Sequence, residues 1–362
     1  MDPATEAQPL SDSTLPAYLC AIGLADSPAG LRVEPAGDGN INWVRRVRSA
    51  TDDRSWIVKQ ARPALERFPE YHASTERIVF EHRYFELVRD LDVEGVCPEV
   101  RHFDAAARVL VLEDLGDAER LDHALSRGAD VAPALCALGR FLTAVHAATR
   151  DPALAAGFVN DEMRRLHGEH IFVLPFRAND FPLGPGVGRR ARQVQADAGL
   201  VAIADAAYAR YLEPRGALVH GDVQAGNVLL LGPRPKLLDA EIAHVGDPAF
   251  DVGTLVAHIL LAALGRGDVA AAAPLVDELW HAYRTSARPA PRSEQRAAGD
   301  DGPPSFADVG RYAGLEVMRR TIGAARVSAV ASSDRARAAI ELAARLMREP
   351  PRAPVDLHRE GR

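Results

Sequence analysis

The chain has 362 residues and a formal net charge of −7, from 43 basic and 50 acidic side chains. Its length allows two lobes with separate cores, and the lack of a long basic run argues against nucleic acid as a partner. Three cysteines without a Cys-x-x-Cys pair favour a reducing compartment. The acidic, polar N-terminus lacks the features of a signal peptide, and the longest apolar stretch, Thr254 to Leu264, is too short to span a bilayer. We therefore expect a soluble, cytoplasmic protein that binds neither nucleic acid nor a membrane.

Composition and periodicity divide the chain into three regions. Residues 1–14 are predicted to form a loose tail, residues 15–115 a strand-rich N-terminal lobe, and residues 116–362 a mainly helical C-terminal lobe. A core helix of the C-terminal lobe is indicated by apolar residues at helical spacing, namely Val131, Leu135, Leu138, Leu142 and Val145. Residues 286–304, rich in proline, arginine, glycine and aspartate, are predicted to be a mobile insertion.

The first motif in chain order is a glycine pair, formed by Gly37, Asp38, Gly39 and Asn40. Apolar and polar residues alternate after it, which predicts a strand, whereas a dinucleotide-binding fingerprint needs a helix there. The glycines therefore join two strands and are typical of a flap whose backbone N–H groups approach phosphates. Asn42 replaces a third glycine. A plain hairpin turn is the alternative interpretation.

A lysine and a glutamate follow on the next two predicted elements. Lys59 lies on the apolar face of the strand Ser55 to Gln60, where an unpaired ammonium group is costly to desolvate. Glu81 lies on the apolar stripe of the following helix, three residues after Ile78. We expect the two side chains to pair, so that the lysine is held for the α- and β-phosphates of ATP. An edge-strand lysine that reaches water is the alternative.

The next predicted strand, Val109 to Leu112, ends in a short polar segment from Glu113 to Asp117. The sequence itself shows only a strand that ends in a loop. Its place after the glycine flap and the lysine strand suggests a hinge between lobes, with backbone groups from Glu113 to Leu115 at the edge of an adenine ring.

A predicted β-hairpin carries the most informative residues. Val228 to Leu231 is a strand pattern, residues 232–235 form a turn signal, and Lys236 to Asp239 returns antiparallel. If Leu231 faces Lys236, Val228 faces Asp239, and Asn227 meets Asp239 at the open end of the hairpin. Asp222 lies in the loop just before. An amide and a carboxylate that converge on a metal, beside a second carboxylate, form the layout used for phosphoryl transfer from ATP.

Two further residues near the hairpin are predicted to be structural. His220 is expected to support the loop that carries Asp222. Asp251, at the start of an apolar helix, is expected to accept backbone hydrogen bonds, and the segment from Asp247 to Asp251 is expected to anchor this loop.

The order of these motifs resembles the aminoglycoside phosphotransferase and choline kinase group of small-molecule kinases, and within it the methylthioribose kinases. The likeness spans residues 30–326 and is carried by Gly37-Asp38-Gly39-Asn40-Ile41-Asn42, Val58-Lys59-Gln60-Ala61, Leu112-Glu113-Asp114-Leu115 and Met318-Arg319-Arg320-Thr321-Ile322-Gly323. It implies an α+β, two-lobed protein-kinase-like fold, with a β-rich N-terminal lobe and a mainly helical C-terminal lobe. Asn227 departs from the methylthioribose kinases, which usually have a small hydroxyl residue at this position, and is more like the antibiotic kinases.

The resemblance also implies a role for each site residue. Asp222 would be the catalytic base, Asn227 and Asp239 would hold Mg²⁺, and Glu241 would hold a second ion or a water molecule. Arg319 and Arg320 would border the sugar and phosphate site, as a twin arginine does in methylthioribose kinases. A structural ion pair that fixes their helix is an equally supported reading. The segment Gly168-Glu169-His170-Ile171-Phe172, with Asn179 and Asp180, resembles a substrate-side segment, although a lone histidine is more often structural.

The expected function is ATP-dependent transfer of the γ-phosphoryl group to a hydroxyl group of a small molecule, in the first place a methylthioribose-like sugar. An aminoglycoside is the alternative acceptor. A protein kinase is disfavoured because Gly221 replaces the arginine of the His-Arg-Asp motif and Asp239-Ala240-Glu241 replaces Asp-Phe-Gly. A nucleotide-binding pseudokinase scaffold is the alternative from another class. The oligomeric state stays open, with a homodimer as one option.

Overall fold

The structure, a computed structural model, describes residues 9–37, 42–64, 73–150, 156–214, 216–286 and 303–361. Asp38, Gly39 and Asn40 of the predicted flap lie outside the described residues, as does most of the predicted insertion at 286–304. The chain forms two compact units. The first unit comprises Met1–Leu87 and Pro98–Asp117, and the second comprises Val88–Cys97 and Ala118–Arg362.

The first unit is built on a five-stranded antiparallel sheet in the order β1-β2-β3-β5-β4. Its elements are α1 (Leu15–Ala21), β1 (Leu31–Pro35), β2 (Trp43–Ser49), β3 (Ser55–Gln60), α2 (Arg77–Val88), β4 (Val100–Asp104) and β5 (Val109–Glu113). Alternate residues of β2, such as Trp43 and Val47, are buried because successive side chains of a strand point to opposite faces. Leu15 and Leu19 of α1 pack into the same core.

The described part of the predicted N-terminal tail contacts this sheet. The backbone N–H of Leu10 donates to Oε1 of Gln60 at 2.9 Å, and Nη2 of Arg62 donates to the carbonyl oxygen of Leu10. Asp12 pairs with Arg45 at 2.6 Å. Residues 9–14 are therefore held on the first unit by polar contacts.

The second unit is mainly helical. Its elements are β6 (Glu119–Arg120), α3 (Leu121–Ser126), α4 (Ala132–Ala148), α5 (Asp161–Gly168), α6 (Pro185–Ala196), α7 (Ala198–Tyr211), β7 (Ala217–Val219), β8 (Val228–Leu231), β9 (Arg234–Leu237), β10 (His244–Gly246), α8 (Ala249–Arg266), α9 (Ala272–Thr285), α10 (Phe306–Ile322) and α11 (Ser333–Arg348). A single π-helical turn, Glu169–Val173, follows α5. The predicted core helix is confirmed, because α4 buries the apolar residues that indicated it.

The apolar helix α8 is longer than its sequence pattern suggested. It spans Ala249–Arg266, 18 residues, and by length and composition alone it could cross a membrane. In the second unit, however, 89% of it is buried, and it packs against α10. Helix α8 is therefore the central core helix of this unit, and its burial explains its apolar composition.

The predicted hairpin forms, but its predicted register is wrong. Leu231 pairs with Arg234 and Val228 with Leu237, so the loop contains only Gly232 and Pro233. Gly232 has φ of +62°, which allows this tight two-residue turn instead of the four-residue turn that was predicted. As a result Asn227 lies opposite Leu238, whose N–H donates to the Asn227 carbonyl oxygen at 2.8 Å.

Candidate active site

The predicted pair between Lys59 and Glu81 is confirmed. Nζ of Lys59 lies 2.7 and 2.9 Å from the two carboxylate oxygens of Glu81, and both side chains are buried. Strand β3 is central rather than an edge, since Lys59 pairs with Val44 on one side and Leu110 on the other. The alternative of a solvated edge-strand lysine is therefore wrong, and the ammonium group is held in one position by a buried carboxylate.

The described ends of the predicted flap are tied to the first unit. Gly37 has φ of +68°, a conformation that glycine adopts readily. Asn42, at the other end, accepts a hydrogen bond at 2.9 Å from Nε of Arg77, the fully buried first residue of α2. Because α2 also carries Glu81, the end of the flap and the Lys59 partner are held by the same helix.

The segment after β5 is fixed by an arginine of β2. Nε of Arg46 donates to Oδ1 of Asp114 at 3.0 Å, and its Nη2 donates to the carbonyl oxygen of Gly116. The N–H of Glu113 donates to the carbonyl oxygen of Glu99 and is thus used within the first unit. Of the backbone groups expected to meet an adenine ring, the N–H of Glu113 is therefore already used.

The loop that carries Asp222 is anchored from α8, as predicted for Asp251. The fully buried carboxylate of Asp251 accepts hydrogen bonds from the N–H groups of His220 at 2.8 Å and Gly221 at 2.9 Å. Nε2 of His146 lies 3.1 Å from the same carboxylate. Burial alone would raise the pKa of Asp251, but the contacts with His146 and these N–H groups outweigh burial and lower it. Asp251 is therefore a structural anion.

Gly221 explains why this loop lacks the arginine of protein kinases. Its φ is +85°, and a Cβ atom would lie 2.8 Å from the carbonyl oxygen of Ile242. No other residue fits without a shift of the loop or of the turn Ala240–Ile242. The close approach joins the Asp222 loop to the segment that follows Asp239.

Asp222 and Asn227 are in direct contact. Nδ2 of Asn227 donates to Oδ2 of Asp222 at 2.9 Å and to its carbonyl oxygen at 3.1 Å, and Gln224 donates to the same Oδ2 at 3.0 Å. Oδ1 of Asp222 is buried and has no hydrogen-bond partner among the described residues. Since buried polar atoms are normally paired, this oxygen is available to a ligand hydroxyl group.

Asp239 follows the hairpin in an unusual conformation. Its φ is +64°, in the left-handed region that aspartate tolerates better than most residues. The carboxylates of Asp222 and Asp239 both raise the pKa of the buried His220, although burial has the larger effect and lowers it overall. The structure thus brings Asp222, Asn227 and Asp239 together at one end of the hairpin. Glu241, in the next turn, is buried, and its carbonyl oxygen accepts from Asn160.

The donor set at this end fits a hard cation. Within the described ranges, no group of three or more His, Cys, Asp or Glu residues could hold a metal ion by itself. Asn227 and Asp239 offer one amide and one carboxylate oxygen. Mg²⁺ is typically bound by one or two such oxygens together with substrate phosphates and water, so the residues present suit a metal that arrives with a nucleotide.

The twin arginine lies in a buried ion-pair cluster on α10. Nε of Arg320 lies 2.5 Å from Glu316, and Nη1 of Arg319 lies 3.2 Å from the same carboxylate. Burial alone would raise the pKa of Glu316, but the two guanidinium groups hold it well below its usual range. Nε of Arg319 and Nη2 of Arg320 are buried without a hydrogen-bond partner in the described part of the chain. Both arginines pair with a carboxylate of their own helix, so these ion pairs do not lock the helix to the rest of the lobe, and the helix Ser333–Arg348 follows it. Two donor atoms remain for a ligand.

His167 of α5 was missed in the sequence, because no motif marks it. Its Nε2 atom lies 3.1 Å from Nη1 of Arg319 and 3.8 Å from Oδ1 of Asp222. The neighbouring His170, singled out in the sequence, is half-buried, and burial and Arg319 lower its pKa. His170 belongs to the π-helical turn Glu169–Val173, which directly follows the helix of His167, and such turns are frequent at functional sites.

Burial lowers the pKa of four buried histidines of the second unit. For His244 the value falls to about 4. These four neutral histidines are His167, His220, His244 and His258.

Comparisons with known proteins agree with this geometry. The model of the phosphotransferase enzyme family, APH, matches residues 32–295. The methylthioribose kinase of Citrobacter koseri is 28% identical over 343 residues, which cover 86% of this chain and 85% of the relative. The methylthioribose kinase of Bacillus velezensis is 29% identical over 345 residues, which cover 88% of this chain and 85% of the relative. These matches confirm the resemblance that the motifs indicated.

A solved structure shows the same fold. The choline kinase of Cryptosporidium parvum Iowa II superposes with a TM-score of 0.53 at 10% identity, and the match covers 94% of this chain and 96% of that one. The predicted α+β fold class, with a strand-rich and a mainly helical part, is confirmed.

Proposed function

We propose that this chain, which belongs to the phosphotransferase enzyme family, transfers the γ-phosphoryl group of ATP to a hydroxyl group of a methylthioribose-like sugar. The observation that carries the proposal is the position of Asp222. One of its carboxylate oxygens is fixed by Asn227, while the other is buried, without a hydrogen-bond partner among the described residues, and 3.8 Å from Nε2 of His167. A hydroxyl group of the acceptor would satisfy that oxygen.

In this mechanism Asp222 orients the acceptor hydroxyl group and takes its proton. The hydrogen bonds from Asn227 and Gln224 to Oδ2 hold the carboxylate so that Oδ1 faces the acceptor. Asp251 fixes the backbone of the loop through His220 and Gly221. A positioned base of this kind accelerates a reaction by about 10² to 10⁴.

The remaining predicted residues are assigned to ATP. Asn227 and Asp239 would hold Mg²⁺, and Glu241 would hold a second ion or a water molecule. Such a metal neutralises charge that develops on the phosphoryl oxygens. In the first unit Lys59, held by Glu81, would bind the α- and β-phosphates. The glycine flap, Gly37 to Asn40, and the segment Glu113 to Leu115 would complete the nucleotide site.

The charge of the acceptor site favours a sugar over an aminoglycoside. Arg319 and Arg320 share a single carboxylate, Glu316, so the cluster carries one excess positive charge beside Asp222. This cluster offers no excess of carboxylates to a polycationic aminoglycoside, whereas the oxygen atoms of a neutral pentose can accept from the two guanidinium nitrogens that lack a partner within the described chain. The names of the two relatives described above point to the same acceptor.

The proposal is tested by ADP release with Mg-ATP against methylthioribose, related pentoses, aminoglycosides and choline. We expect turnover on methylthioribose and little on the aminoglycosides. Asp222→Asn is expected to bind ATP nearly normally and to lose at least about 10²-fold in kcat, because the base is removed. Near-normal turnover by this variant would refute the role of Asp222. ATP binding without turnover on any acceptor would favour the scaffold alternative.

The organisation of the protein is part of the same proposal. Residues 15–115 would provide the ATP-binding lobe, and residues 116–362 the catalytic and acceptor lobe. Cys20, Cys97 and Cys136 are free thiols, which agrees with a protein that acts in the reducing cytoplasm.

A further inference from the structure

His167 lies between the catalytic carboxylate and the arginine cluster of the second unit. Its Nε2 atom is 3.1 Å from Nη1 of Arg319 and 3.8 Å from Oδ1 of Asp222. The imidazole is buried, and its ring meets the edge of Phe250 at a centroid distance of 6.1 Å. One ring nitrogen of the histidine therefore contacts Arg319 and lies near the catalytic carboxylate.

The contact with Arg319 decides the tautomer of His167. A guanidinium group has only donors and cannot lose its proton in a protein, so Nε2 accepts in this hydrogen bond and the proton of the neutral ring lies on Nδ1. Nδ1 is itself buried without a hydrogen-bond partner among the described residues. Burial, followed by the charge of Arg319, lowers the pKa of His167 well below its usual range, which agrees with a neutral ring. Arg319 thus donates to this uncharged nitrogen as well as to the carboxylate of Glu316.

Without this nitrogen, Arg319 would have a second anion within reach. The two measured distances place Nη1 of Arg319 and Oδ1 of Asp222 at most about 7 Å apart, a gap that a change of arginine rotamer can close. Its present anion, Glu316, is already shared with Arg320. A direct contact between Arg319 and Asp222 would occupy Oδ1 and exclude the acceptor hydroxyl group from it.

We propose that His167 is a positioning residue that holds the Arg319 guanidinium group away from Asp222 and so keeps Oδ1 free for the acceptor hydroxyl group. The inference rests on the proposed role of Asp222 as the base. Besides His167, the charged and titratable groups that act at this place are Arg319, Arg320 and Glu316 of α10, Tyr211 of α7, His258 of α8, His170 of the π-helical turn and His220 of the Asp222 loop.

The test compares His167→Ala with His167→Gln. In the glutamine variant Oε1 can lie near the place of Nε2 and accept from Arg319, whereas alanine leaves a gap without an acceptor. We expect kcat to fall at least about tenfold in His167→Ala and to stay within about threefold of wild type in His167→Gln. The KM for ATP is expected to stay within about twofold in both.

A purely structural role would predict another pattern. Both variants would then lose activity to the same extent, or lose kcat only in proportion to a loss of thermal stability, and either result overturns the proposal. If His167→Ala does not fold, His167→Asn takes its place, because its amide is one methylene too short to reach Arg319 while its polarity matches glutamine.

Two measurements do not depend on turnover. In ¹H–¹⁵N spectra of the full chain labelled at histidine, His167 is expected to be neutral with its proton on Nδ1, and a proton on Nε2 would overturn the inference. A crystal structure of the alanine variant is expected to show Arg319 in contact with Asp222. If the wild-type protein turns over no acceptor while both results hold, the proposed function fails and the arrangement around His167 stands.

Discussion

Replacement of Asp251 by asparagine is expected to destabilise the protein by about 3–5 kcal/mol. Oδ2 of this carboxylate accepts from His220 and lies 3.1 Å from His146, and Oδ1 accepts from Gly221. Asparagine is nearly isosteric but keeps only one acceptor oxygen, so an NH₂ group must face a buried donor. One charge-assisted hydrogen bond, about 1.5–3 kcal/mol, is lost, and an unsatisfied buried donor costs about 1–3 kcal/mol more.

The free energy of unfolding is measured by urea denaturation of the full chain. Because each kcal/mol of lost stability lowers Tm by about 2–4 °C in a protein of this size, Tm is expected to fall by about 10 °C. Since the backbone of the Asp222 loop loses its anchor, kcat is expected to drop about 10²-fold with little change in the KM for ATP. The matched control is Asp268→Asn, an exposed helix cap whose carboxylate accepts from Ala271, where asparagine caps equally well. An Asp251→Asn protein as stable as the control would refute this reasoning.

Three further predictions concern the site and its surroundings. Lys59→Met and Glu81→Leu are each expected to cost about 3–5 kcal/mol in urea denaturation, because each leaves a buried charge, and the double variant is expected to recover most of that stability but no activity. A double variant no more stable than either single one would contradict this. Gly221→Ala is expected to lower the free energy of unfolding by at least about 2 kcal/mol and to remove most of kcat, since its Cβ would clash with the Ile242 carbonyl. Gly232→Ala, with open space around its Cβ, is expected to cost about 1–2 kcal/mol of stability and to leave kcat unchanged. The four buried histidines are neutral in the folded chain, and the unfolded chain binds their protons at a higher pH. Tm is therefore expected to be highest above about pH 6.5 and to fall as the pH is lowered toward 4. The lowered pKa of His244 alone corresponds to a loss of about 3 kcal/mol in the free energy of unfolding, and a flat Tm between about pH 7 and 5 would contradict this prediction.

The local parts of the site are predictable because each rests on a short-range pattern. The alternation around Lys59 predicts a strand, and the helical spacing around Glu81 places it on a buried face. Burial of an ammonium group demands an anion, so the two patterns together predict that these side chains pair. The anchoring role of Asp251 follows in the same way, from an acidic residue at the start of an apolar helix.

The hairpin shows where such reasoning fails. Its two strands are recognisable in the sequence, but the predicted register is displaced because the turn residues Gly232 and Pro233 close it more tightly than a four-residue loop. Register depends on the conformation of one glycine, which composition does not reveal. Asn227 and Asp239 nevertheless lie at the same end, since Asp239 leaves the strand in a left-handed conformation.

By itself, the sequence determined the order of elements and the pairing of Lys59 with Glu81, and it supplied the residues that we propose bind ATP and take a proton. These depend on periodicity and on the cost of buried charge, which act between residues close along the chain or on adjacent elements. Only the tertiary structure decided that His167 separates Asp222 from Arg319. These three residues are 55 to 152 positions apart, and three elements must pack before they touch.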